Sequence, residues 1–356
     1  MTGCRKIMIE LKNISKLYRG MTVNKDYGIY LWIKNIASLT SNRATPLLAL
    51  KDITFSVAPG EIFGIYGENG AGKTTLIKIL SGLLCPTGGE VKIDGRGEMQ
   101  HLKSTVSYIS TNGWMGLEWQ LSARENLILY GNLFGLSGSS LERKCDEVLE
   151  AVDMAESKEK FISQLSAGMR QKITIARGLV LGRPIVFYDE PSVSLDVQSA
   201  RKLRALINAD AKTNKRTAII ASHNTEDLSI CDRIMFLWKG QIIAVGTKEE
   251  LQKPFAALEV IEVNFLKQNM EQHLDLLPGC SAISGIEHIS YGSGEGERDI
   301  QSAKISVRKN DFLLNPLIEY FVENNINIQS IKPAELTLRE MYEYYIEQQG
   351  GKSHAA

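Results

Sequence analysis

A lysine, a threonine and two adjacent carboxylates carry the chemistry open to this chain. Lys73 and Thr74 stand near the end of the run Gly67-Glu68-Asn69-Gly70-Ala71-Gly72-Lys73-Thr74-Thr75, which meets the pattern G-x-x-x-x-G-K-[ST] in full from Gly67 to Thr74. Glycines let successive backbone N–H groups face one anion, and a helix starting there adds its positive end. Lys73, on an exposed loop, would hold the β- and γ-phosphates of a nucleotide as a point charge. The Thr74 hydroxyl would ligate the Mg²⁺ that bridges those phosphates. Asp189 and Glu190 close the apolar run Ile185-Val186-Phe187-Tyr188. A strand ending this way can place Asp189 on the same Mg²⁺, facing Thr74, and leaves Glu190 to orient and deprotonate an attacking water. The plain alternatives are a glycine-rich loop that merely turns a corner and an apolar strand that happens to end in acids. The order of the two motifs favours nucleoside triphosphate hydrolysis.

Such side chains need a rigid frame. Ile62-Phe63-Gly64-Ile65-Tyr66 reads as a buried strand and Leu76 to Leu80 as an amphipathic helix, so the glycine run joins strand to helix as a phosphate loop must. Further strands are predicted at Ile7 to Leu11 and on to Tyr18, and at Leu48 to Val57, Glu90 to Ile93, Thr105 to Ile109, Pro184 to Tyr188, Thr217 to Ala221 and Arg233 to Leu237. Between about 111 and 183 the periodicity turns helical, as in Ala123 to Phe134 and Leu141 to Ala151. Helices alternating with strands argue for an α/β fold with a mainly parallel, covered sheet and a helical insertion.

The 356 residues allow two or three domains, and 44% apolar and 23% charged residues are ordinary globular values. Net charge is zero but unevenly spread: the first 253 residues carry seven more Lys and Arg than Asp and Glu, the remainder seven fewer. That excess suits an anionic nucleotide and is too small and scattered for nucleic acid. No 18 uncharged apolar residues run together, so no secretory signal or membrane span is expected. Five cysteines lie far apart without a C-x-x-C pair, as in a reduced, cytosolic chain. The composition shifts after Lys253-Pro254, dividing a body of residues 1–253 from a small α+β domain of 254–356. There, strands are predicted at Leu258 to Phe265 and Ala303 to Val307, a glycine-rich link near Gly292 to Gly296, and helices near Phe312 to Val322 and Leu338 to Ile346, before a frayed tail. Within the body, an insertion at 19–47 carries Ile29, Trp32, Ile33 and Ile36 at helical spacing. Its stripe either packs on the body or meets a membrane or membrane partner.

The heptapeptide Leu165-Ser166-Ala167-Gly168-Met169-Arg170-Gln171 precedes the Asp189 strand and matches L-S-x-G-x-x-Q. With both phosphate motifs in this order, the chain resembles the nucleotide-binding subunits of ABC transporters from Ile7 to about Leu251. Ser166 and the Gly168 N–H stand at a helix start, itself an anion site. The resemblance implies that this site, with Gln171, faces the γ-phosphate held by a second subunit. It further implies that Ser192-Val193-Ser194-Leu195-Asp196 lines the dimer seam, that His223 after Ser222 is a switch histidine, and that Tyr18 stacks on adenine, with Tyr27 or Tyr30 as alternatives. One motif departs from the family. Where a glutamine would ligate Mg²⁺ and touch the membrane subunit, the chain has Ser110-Thr111-Asn112-Gly113, and Asn112 offers the same amide oxygen on a shorter side chain.

What the resemblance implies is an ATP- and Mg²⁺-dependent hydrolase serving an exporter. It would be a separate chain, working as a homodimer against transmembrane permease subunits encoded elsewhere, peripheral on the cytoplasmic face of the membrane. The final domain is generally similar to those of two-component exporters, through Pro333-Ala334-Glu335-Leu336-Thr337-Leu338, and the 19–47 insertion resembles one in polymer exporters. A non-transport ABC ATPase would bring tandem cassettes or a long coiled coil in the helical region. A phosphate-loop GTPase would need Asn-Lys-x-Asp, and Asn214-Lys215-Arg216-Thr217 lacks the aspartate.

Overall fold

The computed structural model describes residues 8–18, 46–110, 116–266, 286–293, 300–308 and 314–350. The chain divides into two compact units, Met1–Val245 and Gly246–Ala356.

In the first unit β3 (Ile62–Tyr66) is buried along its whole length and sits inside a six-stranded sheet. The others are β5 (Val106–Ser110), β6 (Ile185–Asp189), β7 (Thr217–Ser222), β8 (Arg233–Trp238) and β9 (Gln241–Gly246), in the order β5-β6-β7-β3-β8-β9. Every pair from β5 to β8 is parallel. Parallel strands covered on both faces read as continuous apolar runs, which is why β3, β6 and β7 are legible in the sequence. Register does the rest. Tyr66 pairs with Ser222 and Asp189 with Ala221, so the C-terminal ends of β3, β6 and β7 lie level. Chemistry on an open parallel sheet gathers in the crevice outside those ends.

A second sheet is antiparallel: β1 (Ile9–Tyr18) lies between β2 (Leu47–Val57) and β4 (Gly88–Ile93). Sequence reading finds these strands and misses that they form their own sheet, because partners far apart in the chain leave no local mark. Ile9, Leu11, Leu50 and Ile53 share one core with Phe63, Ile65, Phe187 and Ile219 and with Leu76, Ile77 and Leu80 of α1 (Lys73–Leu80). The short helix α2 (Met99–Thr105) and strand β9 also escaped the periodicity.

The helices α3 (Ala123–Leu133), α4 (Gly138–Ala151) and α5 (Ala167–Val180) pack on one another, inside the stretch expected to be helical. Ser122 starts α3 with a capping box, accepting the Glu125 N–H while the Glu125 carboxylate accepts its own. At its far end α5 meets the sheet through Gly178, where a Cβ would overlap the Ile109 side chain of β5. Gly178→Ala is therefore expected to destabilise the unit by about 1–3 kcal/mol through overpacking, more than the roughly 1 kcal/mol that alanine gains over glycine in a helix. A lower urea midpoint at unchanged m would show it, and an unchanged or higher midpoint would contradict it. The long helix α6 (Val197–Asn214) follows β6.

The second unit is a four-stranded antiparallel sheet, β10 (Leu258–Leu266), β11 (Ile286–Ser293), β12 (Ile300–Arg308) and β13 (Ile328–Ala334), in the order β11-β12-β10-β13. Helix α7 (Lys248–Gln252) precedes the sheet, α8 (Leu314–Glu323) links β12 to β13, and α9 (Leu338–Gln348) ends it. Val263, Phe265, Ile305 and Phe321 form its core. The α+β expectation holds, with two strands added: Gly292 belongs to β11 and not to a link, and β13 is a polar edge strand that carries Pro333. Among the described residues no helix is long and apolar enough to cross a membrane. Cys85, Cys145 and Cys231 are free.

Candidate nucleotide site

The glycine run leaves β3 where only glycine fits. A Cβ on Gly67 would overlap the Leu237 carbonyl of β8, and one on Gly72 (φ +109°) would come within 2.8 Å of the Ala49 carbonyl of β2. The chain therefore turns tightly against β8 and β2 and enters α1 at Lys73. The Lys73 side chain is not exposed, as its loop position suggested, but buried, at 6% exposure. Its ammonium donates to the Gly67 carbonyl at 2.6 Å and the Glu68 carbonyl at 3.2 Å, and pairs with Glu190 Oε1 at 3.1 Å. Carbonyls of its own loop and one carboxylate compensate the buried charge.

At the level end of β6, Asp189 accepts the Thr74 hydroxyl at 3.2 Å and the Tyr108 hydroxyl at 3.0 Å. Burial holds the Asp189 carboxyl above its ordinary range, partly offset by those two donors. The Tyr108 hydroxyl is pushed up, by burial first and then by the Asp189 charge. Glu190 adopts φ +52°, uncommon for a non-glycine residue, and its N–H donates to the Ala221 carbonyl at 2.8 Å. Its Oε2 lies 2.7 Å from His223 Nδ1 and 3.2 Å from Ser222 Oγ, and accepts the His223 N–H at 3.3 Å. Burial pushes the Glu190 carboxyl up, but His223 and Lys73 outweigh it and hold it below its ordinary range. Adjacent carboxylates thus shift in opposite directions, as two groups with different tasks do.

Among the described residues no three His, Cys, Asp or Glu side chains gather as a metal cage. Thr74 and Asp189 do converge, and one carboxylate with one hydroxyl fits Mg²⁺, which keeps waters and substrate phosphates as its other ligands. Asn112 lies outside the described residues.

An open cleft of about 470 Å³ runs from Glu190 along Asn69, Gly70, Gly72, Lys73, Thr74 and Thr75 to Tyr18. That is the volume of a site for one small molecule. Tyr18 is partly exposed there, with Lys16 Nζ 5.3 Å from its ring centre. Gly67 and Ala71 belong to the same loop, Ala71 receiving the Gly240 N–H on its carbonyl at 2.9 Å. Tyr27 and Tyr30 lie outside the described residues.

Ser166, Gly168, Gln171 and Asp196 do not line that cleft. Ser166 caps α5, accepting the Met169 N–H at 3.2 Å, and Gly168 passes close to the Ser194 carbonyl, 3.0 Å from where its Cβ would stand. Gln171 is buried and donates to the carbonyl of Pro191, the residue after Glu190, at 3.3 Å. Asp196 caps α6, accepting the Ser199 N–H at 2.9 Å and its hydroxyl at 2.7 Å.

The ABC transporter family profile matches residues 50–193, from β2 through the turn after Glu190. The ABC transporter ATP-binding protein NatA of Bacillus subtilis is 32% identical over 206 residues, which cover 57% of this chain and 83% of NatA. The chain belongs to the ABC transporter ATP-binding family. This ABC ATPase is also 35% identical to the doxorubicin resistance ATP-binding protein DrrA of Mycobacterium tuberculosis H37Rv over 207 residues, 58% of the chain and 62% of DrrA. In fold it resembles a dimeric ATP-binding cassette solved in a post-hydrolysis state with ADP and Pi, at TM-score 0.56 and 24% identity, covering 67% of this chain and 98% of that one.

In the ABC ATPase, then, Lys73, Thr74, Asp189, Glu190 and His223 come together as their motifs predict, and the Ser166 motif stands apart. Sequence reading missed Tyr108 and the far wall of the cleft, Leu47, Leu48 and Lys239. Exposed leucines beginning a strand were the one available signal for that wall, with Leu47 65% exposed. For Tyr108 there was none, since only strand pairing brings β5 beside β6.

Proposed function

We propose that this ABC ATPase is the energising subunit of an exporter, two copies of which close on two ATP molecules while separate membrane permeases carry the cargo. The observation that carries this reading is the incomplete site. The phosphate loop and Glu190 line one cleft, with Asp189 bonded to Thr74 and His223 to Glu190, while Ser166 and Gly168, at a helix start suited to an anion, lie outside it. A second copy facing the first would supply them. The doxorubicin-resistance name of DrrA supports an exporter, and such a subunit would sit on the cytoplasmic face of the membrane against its permeases.

In this reading Lys73 leaves the Gly67 and Glu68 carbonyls for the β- and γ-phosphates of ATP, and Tyr18 stacks on the base. Thr74 and Asp189 would hold Mg²⁺, which supplies neutralisation of the phosphate charge. Glu190 takes a proton from the attacking water as its oxygen bonds the γ-phosphorus and the bond to the β–γ bridging oxygen breaks, leaving ADP and phosphate. His223, on Glu190 Oε2, fixes the direction of that carboxylate.

A site built from two chains makes the rate per chain depend on concentration. ATP turnover per chain is expected to rise with protein concentration and then level off as dimers fill. A rate per chain that stays constant down to concentrations where sedimentation shows only monomer would overturn the two-chain site.

A further inference from the structure

We infer that Asp227 is a positioning residue for ATP hydrolysis, holding Glu190 and His223 in register by binding the serines that neighbour them. The inference rests on Glu190 acting as the base. Asp227 lies in the turn after β7, is 2% exposed, and touches neither the cleft nor the phosphate loop. Its Oδ2 accepts the Ser192 hydroxyl at 2.7 Å and lies 2.9 Å from Ser222 Oγ. Ser192 is two residues past Glu190 on the turn leaving β6. Ser222 ends β7 immediately before His223, and its hydroxyl also stands 3.2 Å from Glu190 Oε2.

One buried carboxylate oxygen thus ties together the two loops whose side chains meet at the candidate base. The other oxygen, Oδ1, has no hydrogen bond and faces Arg204 of α6 at 3.5 Å, with Arg204 also paired to Glu226 at 3.1 Å. The arrangement has one consequence for Glu190. Ser222 has a single proton and two carboxylates within reach, so a charged acceptor at Asp227 draws that proton away from Glu190 while its oxygen stays as a rigid neighbour. Without Asp227 the Ser192 and Ser222 hydroxyls lose their common acceptor and the side chains at the ends of β6 and β7 are held less firmly, and a base displaced by about 1 Å costs up to roughly 10²-fold in rate.

Asp227→Ala is accordingly expected to lower kcat by about 10–10²-fold while the Kd for a fluorescent ATP analogue stays within about threefold. Asp227→Asn, which keeps the shape and one acceptor oxygen for the two serines but not the charge that competes for the Ser222 proton, should recover part of the loss. Ser192→Ala combined with Ser222→Ala should reproduce it without emptying the buried site. In a Glu190→Gln background Asp227→Ala should add nothing in single-turnover assays, because both changes act on one step. The inference is overturned if the serine pair leaves kcat unchanged, if Kd rises as kcat falls, or if the Asp227 and Glu190 losses multiply. Wild-type turnover by Glu190→Gln alone would sink the reading of Glu190 as base, and this inference with it. A normal Glu190 defect with multiplying losses sinks this inference only.

Discussion

Glu190→Gln is expected to slow ATP turnover by about 10²–10⁴-fold, the usual cost of removing a general base, while ATP binding is retained. Glutamine keeps the length of the side chain and an acceptor for the His223 N–H, but cannot take a proton from water. Lys73, Thr74 and Asp189, the groups proposed to grip the phosphates and Mg²⁺, are untouched. A chain that binds ATP without consuming it should accumulate in the closed state, so the variant should elute as a dimer with ATP and as a monomer without it. Adding Ser166→Arg should abolish that dimer, because a bulky cation would then fill the place proposed for the γ-phosphate of the opposite chain. Wild-type turnover by Glu190→Gln would remove the base. Equal dimerisation with Ser166→Arg present would remove the head-to-tail arrangement.

Lys73→Ala is expected to do more, because it acts before chemistry. Two charge-assisted hydrogen bonds to phosphate at about 1.5–3 kcal/mol each correspond to a loss of roughly 10²–10⁴-fold in ATP affinity, and turnover should fall below detection. The burial of Lys73 adds a second effect. In the absence of nucleotide the alanine variant takes the Lys73 ammonium away from Glu190 Oε1, so its stability should drop by about 1–3 kcal/mol, the cost of removing one partner from a partly buried charged group, and not stay level as for a lysine on an open loop. Isothermal titration with ATP and a urea melt of the ligand-free chain read the two effects separately. Normal affinity would refute the phosphate role, and unchanged stability would show that the ion pair with Glu190 contributes nothing.

Much of this site is legible in the sequence because it is assembled from short local patterns. Gly67 to Thr75, Asp189 and Glu190, and Ser222 and His223 each sit at the end of an apolar run, and parallel strands placed side by side bring such ends together without further instruction. Residues that act across the sheet are not legible. Tyr108 reaches Asp189 only because β5 pairs with β6, Asp227 joins Ser192 to Ser222 across the crossover that holds α6, and Leu47 and Leu48 enter the cleft through the antiparallel pairing of β2 with β1. The buried state of Lys73 also depends on a partner 117 positions away, Glu190. The same division holds for the fold: β3, β6 and β7 declare themselves as unbroken apolar runs, whereas β13, polar and at a sheet edge, does not.

Tyr18 and Leu47 are direct cross-strand partners at the ends of β1 and β2, and both line the nucleotide cleft. The backbone therefore leaves the fold after Tyr18 and rejoins it before Leu47, at a single point. The closure cost of a connection between two such neighbouring ends grows only as about (3/2)RT ln n, so a connection sevenfold longer than an ordinary hairpin turn costs only about 1.7 kcal/mol more to close. The length of a connection at this point is therefore nearly decoupled from the cost of closing it. Cargo adaptors, tethers or reporters of widely different size could be spliced there, each delivered to the mouth of the cleft, while the register that builds the cleft stays the same.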